Sequence, residues 1–263
     1  MNRTLAALLL IALTPAGADD DMVLLPAGEY LPLYMKDPKP RPVASFQLDV
    51  DPVTNADFLE FVRANPKWQR SRVKRLFTDE KYLKHWVGDL ELAPGTDPNS
   101  PVTNVSWFAA RAYLKSKGKR LPTTDEWEYA ACADATRANA TADPKFTARL
   151  LEWYGKPGGT PLPSVKIAPA NFYGTRALHG YVWEWVGDFN NSMVTGESRG
   201  DSGIDRKLYC AGGALGATDT RNYAAFMRYA FRSSLKGNYT VPNLGFRGAR
   251  DAETTAKNAE PEV

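Results

Sequence analysis

Few residues of this chain could carry redox or metal chemistry. The sequence contains two cysteines, Cys132 and Cys210, and two histidines, His85 and His179. Neither histidine lies at ligand spacing from a cysteine, so the pattern does not support a metal site built from both residue types. The two cysteines could form a disulfide, a redox pair or a two-thiolate metal site. We favour the disulfide, which an even cysteine count favours in an oxidising compartment and which would stabilise the fold by roughly 3–5 kcal/mol.

Residues 219–234 form a second candidate site, because they are rich in Arg, Tyr and Asp. Arg and Tyr side chains around one carboxylate could bind an anionic or peptide ligand. The alternative is an internal ion-pair network, which we favour for Arg228 and Arg232. The remaining candidates here are Arg221, Tyr223 and Asp219, the last as a hypothetical general base. The chain has no glycine-rich phosphate loop, HExxH motif or Gly-x-Ser-x-Gly motif.

Three segments in the first half of the chain carry helix-start patterns. Thr54 and Thr123 are predicted N-caps, and each is followed three residues later by an acid, Asp57 and Glu126, that can complete a capping box. Ser106 is the third predicted N-cap. Apolar residues recur at three- and four-residue spacing after each cap, which predicts helices with one buried face.

The pattern changes after about residue 155. Short apolar runs are separated by Gly, Asn, Asp and Pro, at residues 181–186, 207–210 and 244–247. This pattern predicts short strands joined by long irregular loops. Together with the helices, it predicts one compact α+β domain with little regular secondary structure.

The charge balance argues against nucleic acid as a partner. The formal net charge is only +3, which gives no electrostatic basis for binding a polyanion. The one basic stretch is residues 67–75. A solvated surface explains it most simply; the alternative is a docking patch for an acidic partner.

The N-terminus has the pattern of a removable secretory signal. A positive Met1-Asn2-Arg3 precedes the apolar run Leu5–Leu13, and Ala16-Gly17-Ala18 supplies the small residues for cleavage. The run is too short to span a bilayer. We therefore predict a signal peptide at residues 1–18, a domain at 19–251, a disordered tail at 252–263, and a periplasmic or secreted protein without membrane insertion.

Several short segments become specific when they are taken in order. They are residues 22–30, 51–58, 101–107, 118–131, 180–185, 212–213 and 243–247. The series resembles the formylglycine-generating enzyme (sulfatase-modifying factor) family across residues 22–251. Its most distinctive blocks are Lys-Arg-Leu-Pro-Thr at 119–123 and Val-Trp-Glu-Trp at 182–185. The resemblance implies that family's variant of the C-type-lectin-like fold, often with bound calcium.

The resemblance also implies a chemistry that this chain lacks the residues to perform. The family oxidises a sulfatase cysteine to formylglycine with molecular oxygen and a copper ion held by two cysteines. Counting back from Gly245 puts those cysteines at Asp219 and Ala224, and counting forward from Gly212-Gly213 puts the first at Ala217. A carboxylate and a methyl group cannot supply the soft two-thiolate site that copper(I) prefers. We therefore expect neither copper nor formylglycine synthesis.

Calcium is the cofactor that the resemblance leaves open. Gly180, Val182 and Glu184 match the family's calcium loop, whereas Ala177 and Tyr181 stand where the family has Asn. Calcium takes six or more oxygen ligands, so a lost side chain weakens the site. The alternative, which we weigh equally, is that Glu184 pairs with a nearby Arg.

The resemblance implies that Trp183 lies beside the candidate cleft, and it suggests three possible functions. The first is an accessory or maturation factor for another exported protein, such as a copper nitrite reductase. The second is a periplasmic enzyme of altered mechanism that acts on a peptide or small metabolite, as in siderophore maturation. The third is a lectin-like binding module.

Overall fold

A computed structural model describes most of the predicted domain. The predicted signal peptide, residues 253–263 of the predicted tail, and Cys210, Ala217 and Asp219 lie outside the described residues. The described residues are 21–35, 38–155, 161–189 and 220–252.

The three predicted helices are present and begin at the predicted caps. They are α1 (Asn55–Ala64), α2 (Trp107–Ser116) and α3 (Thr124–Ala131). The Thr54 and Thr123 side chains each accept a hydrogen bond from the backbone N–H three residues on, and both capping boxes are complete.

Two further helices, α4 (Pro144–Tyr154) and α5 (Thr220–Ser233), were not predicted. The α4 helix starts with an Asp143 cap and a proline at its first position, a pattern that could have revealed it. The α5 helix corrects the expectation of only short strands and loops after residue 155. Apolar residues recur along it at three- and four-residue spacing, as at Tyr223, Met227 and Ala230, so the periodicity of a helix was available in the sequence. Its buried face nevertheless includes Arg228 and Arg232. None of the described helices is long and apolar enough to cross a membrane.

The strands are short and form three small sheets. Two of the predicted apolar runs contain strands, whereas the run at 207–210 lies outside the described residues. An antiparallel sheet in the order β1-β4-β7 closes the N- and C-terminal parts of the domain together, β2 and β3 pair antiparallel, and β5 pairs with β6 in parallel. The strands are β1 (Met22–Leu25), β2 (Gly28–Tyr30), β3 (Arg41–Val43), β4 (Phe46–Asp49), β5 (Trp183–Glu184), β6 (Leu244–Gly245) and β7 (Ala249–Asp251).

An aromatic core holds the helices against the sheets. Phe58 of α1, Tyr113 of α2 and Phe246 after β6 have ring centroids 5.6 to 6.0 Å apart. All three side chains are buried, and the two pairs that Phe246 makes are edge-to-face, a geometry that adds to the stabilisation from burial. The described residues thus form one α+β domain of mixed helix and sheet, as the sequence predicts.

Candidate functional site

Arg228 and Arg232 of α5 form a buried ion-pair cluster with Glu128 of α3. The Arg228 Nη2 lies 2.6 Å from one Glu128 carboxylate oxygen, and the Arg232 Nη1 lies 2.6 Å from the other. All three side chains are buried. The arrangement is the internal network that the sequence analysis weighed against ligand binding, and it fixes α5 on α3.

The two guanidinium groups control the charge of Glu128. Burial by itself would raise the pKa of this carboxyl, but the Coulombic attraction and hydrogen bonds of Arg228 and Arg232 outweigh burial and lower the pKa to about 2. The carboxylate in turn raises the pKa of Arg228 against the opposing effect of burial. The cluster therefore contains one anionic group and two cationic groups at neutral pH.

An aromatic face lies over this cluster. We define it as Trp153 and Tyr154 of α4, Trp183 of β5 and Phe231 of α5, all of them half-buried. The Trp183 ring is stacked with Tyr154 at 4.9 Å and with Phe231 at 4.7 Å between centroids, and Trp153 lies 5.4 Å from it. Trp183 was a predicted site residue and Phe231 lies within the candidate segment 219–234, whereas Trp153 and Tyr154 were not predicted.

A hydrogen bond joins the aromatic face to the ion-pair cluster: the Tyr154 hydroxyl accepts from Arg228 Nη1 at 2.9 Å. On the cluster's own side, the Arg232 guanidinium lies 4.5 Å from the centroid of the buried Trp127 ring. The rings are thus held in fixed orientations. Half-exposed, rigid aromatic rings above a charged group are suited to binding an apolar or planar side chain of a peptide.

The structure brings together only some of the residues predicted for the cleft. Trp183 stacks on Tyr154, whose hydroxyl accepts a hydrogen bond from Arg228, and Arg232 shares the Glu128 carboxylate with Arg228. Tyr223 is half-buried on α5, next to the buried Ala224. Asp219 and the Arg221 side chain lie outside what the structure describes, so their predicted roles stay predictions.

Glu184 is committed to an ion pair with Arg247. The Arg247 guanidinium donates to both Glu184 carboxylate oxygens at 2.8 to 3.1 Å, and the Trp127 Nε1 donates to the same carboxylate at 2.7 Å. The pair is fully buried. Arg247 also donates to three backbone carbonyls, those of Asp49, Val50 and Arg176.

These contacts do not fit Glu184 as a calcium ligand. Both carboxylate oxygens already accept N–H donors, and a cation at the same oxygens would stand beside a buried guanidinium. Of the two equally weighted alternatives, the geometry matches the pairing of Glu184 with an arginine. Gly180 and Val182, the other residues of the predicted calcium site, therefore lack the Glu184 carboxylate as a fellow ligand. Within the described ranges, no group of three or more His, Cys, Asp or Glu side chains is placed to hold a metal ion.

Cys132 follows α3 directly and forms no disulfide with any residue that the structure describes. Burial, aided by the charge of Glu128, raises the pKa of its thiol to about 12. The thiol is therefore protonated and weakly nucleophilic at neutral pH. Because Cys210 lies outside the described residues, the predicted disulfide stays a prediction.

A second polar and aromatic cluster, missed by the sequence analysis, adjoins α5. The Tyr30 hydroxyl of β2 donates to Asp125 of α3, which also pairs with Arg41 of β3 at 3.2 Å. Tyr34 stacks on Tyr229 of α5 at 4.7 Å. Burial, followed by the hydrogen bond to Asp125, raises the pKa of Tyr30. Asp125 lies in the first turn of α3, which begins directly after the Lys-Arg-Leu-Pro-Thr block. An acidic side chain at this position was the clue that the sequence offered.

Known proteins share both the sequence pattern and the extent of this domain. The family model described as "Sulfatase-modifying factor enzyme 1-like domain" matches residues 11–252. The inactive C-alpha-formylglycine-generating enzyme 2 of Mus musculus is 30% identical over 280 residues, which cover 89% of this chain and 87% of that protein. The formylglycine-generating enzyme of the same organism is also 30% identical, over 89% of this chain and 76% of that protein.

Other matches are more partial. The chain spans 23%, 56% and 60% of the length of three further curated relatives that it matches. The solved structure of PvdO from Pseudomonas aeruginosa aligns with 88% of this chain and 94% of that chain, at 16% identity and a TM-score of 0.44. Because the family model covers nearly the whole chain, this protein belongs to the sulfatase-modifying factor (formylglycine-generating enzyme) family.

Proposed function

We propose that this protein is an accessory or maturation factor that binds a segment of another exported protein at the aromatic face and does not make formylglycine. The observation that carries this proposal is the position of Ala224. Counting back from Gly245 puts the family's second cysteine there, and the structure has a buried methyl group on α5 at that position. A methyl group can neither bind copper nor react with a substrate thiol.

The aromatic face supports binding as the retained activity. Its rings are held rigidly by Arg228 beneath Tyr154 and by the stacking of Trp183 between Tyr154 and Phe231. Rigid aromatic side chains bury a large contact area at a low cost in side-chain entropy, and such residues dominate many binding sites. The existence of a relative named as inactive agrees with a family member that binds without oxidising.

The identity of the client is the finer part of the proposal. We propose an exported protein as client, with a copper nitrite reductase as the specific candidate, and the periplasm as the compartment. The exported client and the periplasmic compartment rest on the predicted signal peptide, and the nitrite reductase rests on the family resemblance. Two alternatives remain predictions from the sequence. One is an enzyme of altered mechanism that acts on a peptide or small metabolite, and the other is a lectin-like binding module.

A capture experiment tests the binding role. The wild-type protein and the variant Trp183→Ala are expressed with their native N-terminus and isolated with bound proteins from the periplasm, which are identified by mass spectrometry. We expect a stoichiometric partner with the wild type and its loss with Trp183→Ala. The matched control, Trp153→Phe, keeps an aromatic ring in the same face and should retain the partner.

A second assay tests the chemical part. The purified protein is incubated with copper, oxygen and a peptide containing Cys-x-Pro-x-Arg, and the peptide mass is measured. We expect no change. The mass loss that accompanies conversion of the thiol to an aldehyde would overturn the proposal, and so would capture of no protein by the wild type.

A further inference from the structure

The segment from Arg63 to Lys84 concentrates positive charge on one part of a nearly neutral chain. It contains eight Lys and Arg residues and two acids, a net charge of +6, whereas the whole chain carries +3. The remainder of the chain is therefore net negative. We call residues 63–84 the basic segment; none of its residues belongs to the aromatic face or to the buried ion-pair cluster.

The arginines of the basic segment differ from those elsewhere in their partners. Outside it, each arginine side chain that the structure describes has an acidic, hydrogen-bonding or aromatic partner. Arg63, Arg72 and Arg75 are exposed and make no ion pair, side-chain hydrogen bond or ring contact among the described residues. Lys67 and Lys74 are also exposed and likewise make no ion pair or side-chain hydrogen bond among the described residues. Their charges are available to a partner.

The backbone of the basic segment is nevertheless held in place. Trp68 and Gln69 are buried, and the Tyr82 hydroxyl donates to the Trp68 carbonyl at 3.0 Å. Arg70, the one arginine of the segment with partners, donates to the Trp86 carbonyl at 2.8 Å. Because the backbone is already ordered, binding at this surface would lose little conformational entropy.

The surface is amphipathic as well as basic. Leu76, next to Arg75, is 75% exposed. Arg75 also lies between two depressions of about 590 and 410 Å³, both of which it lines together with Asp79 and Glu80. Single exposed apolar residues are ordinary, but here one directly follows the exposed Lys74 and Arg75 in the chain.

We infer that the basic segment is a docking surface for an acidic segment of a partner protein that also carries apolar side chains. Glutamate or aspartate side chains of the partner would pair with Arg72, Lys74 and Arg75, and an apolar side chain would cover Leu76. Asp79 and Glu80 line both depressions, and Asp89, whose pKa is lowered chiefly by its hydrogen bond with Ser71, lines the second. These carboxylates would repel the evenly spaced phosphates of a nucleic acid, whereas a protein segment can vary the position of its charges.

Fluorescence anisotropy with a short labelled peptide, in which glutamates alternate with leucines, tests the inference on the full chain. We expect saturable binding that weakens as NaCl is raised. The triple variant Arg72→Gln/Lys74→Gln/Arg75→Gln should bind about tenfold more weakly. The control variant Lys115→Gln/Lys117→Gln/Lys145→Gln removes the same charge from exposed positions elsewhere and should bind like the wild type.

The variant Leu76→Ser separates the apolar contribution from the charge. It should weaken the Glu–Leu peptide about threefold and leave a polyglutamate peptide unaffected. Equal loss of binding in both triple variants would overturn the inference, because net charge alone would then explain the interaction. Tighter binding to single-stranded RNA or to vesicles with anionic lipid than to the peptide would also overturn it. The Trp183→Ala variant should bind the peptide normally, so failure here is distinguishable from failure of the proposed function.

Discussion

Arg247 and Glu184, which lie 63 residues apart in the chain, form a fully buried ion pair that joins the segment after β6 to β5. Arg247 ends the segment 243–247 and Glu184 belongs to the Val-Trp-Glu-Trp block at 182–185, two of the segments that carry the family resemblance. The structure therefore assigns these blocks to holding the fold together. Trp183, which precedes Glu184 in β5, belongs instead to the aromatic face.

The variant Arg247→Leu should be strongly destabilising. It leaves the Glu184 charge buried without its partner, and the loss of one member of a buried pair costs roughly 3–5 kcal/mol in the free energy of unfolding. Urea unfolding measures this cost. The exposed Lys145→Ala is the control and should change stability by less than about 0.5 kcal/mol.

The double variant Glu184→Leu/Arg247→Leu should lose less stability than the sum of the two single variants, because it leaves no unpaired charge. Strict additivity would mean that the two groups do not interact. The double variant still leaves three backbone carbonyls without the Arg247 donor, so stability should not return to the wild-type value.

Calcium should not stabilise the protein. A ligand that binds only the folded state raises the unfolding temperature once its concentration exceeds its Kd, but the Glu184 oxygens are occupied by Arg247 and Trp127. Thermal unfolding in millimolar calcium and in a chelator should therefore give the same midpoint. A clear rise with calcium, absent with magnesium, would restore the calcium prediction.

Glu128 should make stability fall in acid. The pKa of this carboxyl is about 2 in the folded protein against an ordinary value of 4.5, so the native state holds the deprotonated form more strongly than the unfolded state does. The resulting stabilisation, about 3 kcal/mol by linkage, is fully present above about pH 5. It is lost as the pH falls from about 4.5 towards 2.

The comparison that isolates this effect is wild type against Glu128→Gln, with unfolding free energies measured across that pH range. The difference between the two proteins should be constant above about pH 5 and should shrink below it. The variant should be less stable at neutral pH, since it leaves Arg228 and Arg232 without their carboxylate. A difference that does not change with pH would show that Glu128 keeps its ordinary pKa in the folded state.

The Cys132 thiol should react slowly in the reduced, folded protein. Its pKa of about 12 makes the thiolate roughly a thousandfold scarcer than for an ordinary cysteine near pH 8. Alkylation monitored by mass spectrometry should label Cys132 quickly only after unfolding. Rapid labelling of the folded protein at this residue would contradict the burial of the thiol.

The predicted disulfide with Cys210 is checked on the same protein without reductant. Protein collected from an oxidising compartment and then unfolded should show no free thiol if Cys132 and Cys210 are paired. Two free thiols per chain would rule the disulfide out.

The helix starts were predictable because capping is local. A side chain at Thr54 or Thr123 satisfies backbone N–H groups within three residues, so the pattern is visible in the sequence alone. The apolar periodicity of α5 was also visible, although the helix was not predicted; the sequence does not show why arginines lie on its buried face. Those arginines pair with Glu128, which lies 100 or more residues away along the chain.

The family, the mixed α and β composition and the absence of cysteine at the counted positions followed from the sequence by itself, because they depend on residue identity and order. The tertiary structure decided what the charged residues do. It pairs Glu184 with Arg247, gathers Glu128 with two arginines, and leaves Arg72 and Arg75 exposed. The reason is physical: the state of a charged group depends on its burial and on partners distant in the chain, and neither is encoded in local spacing.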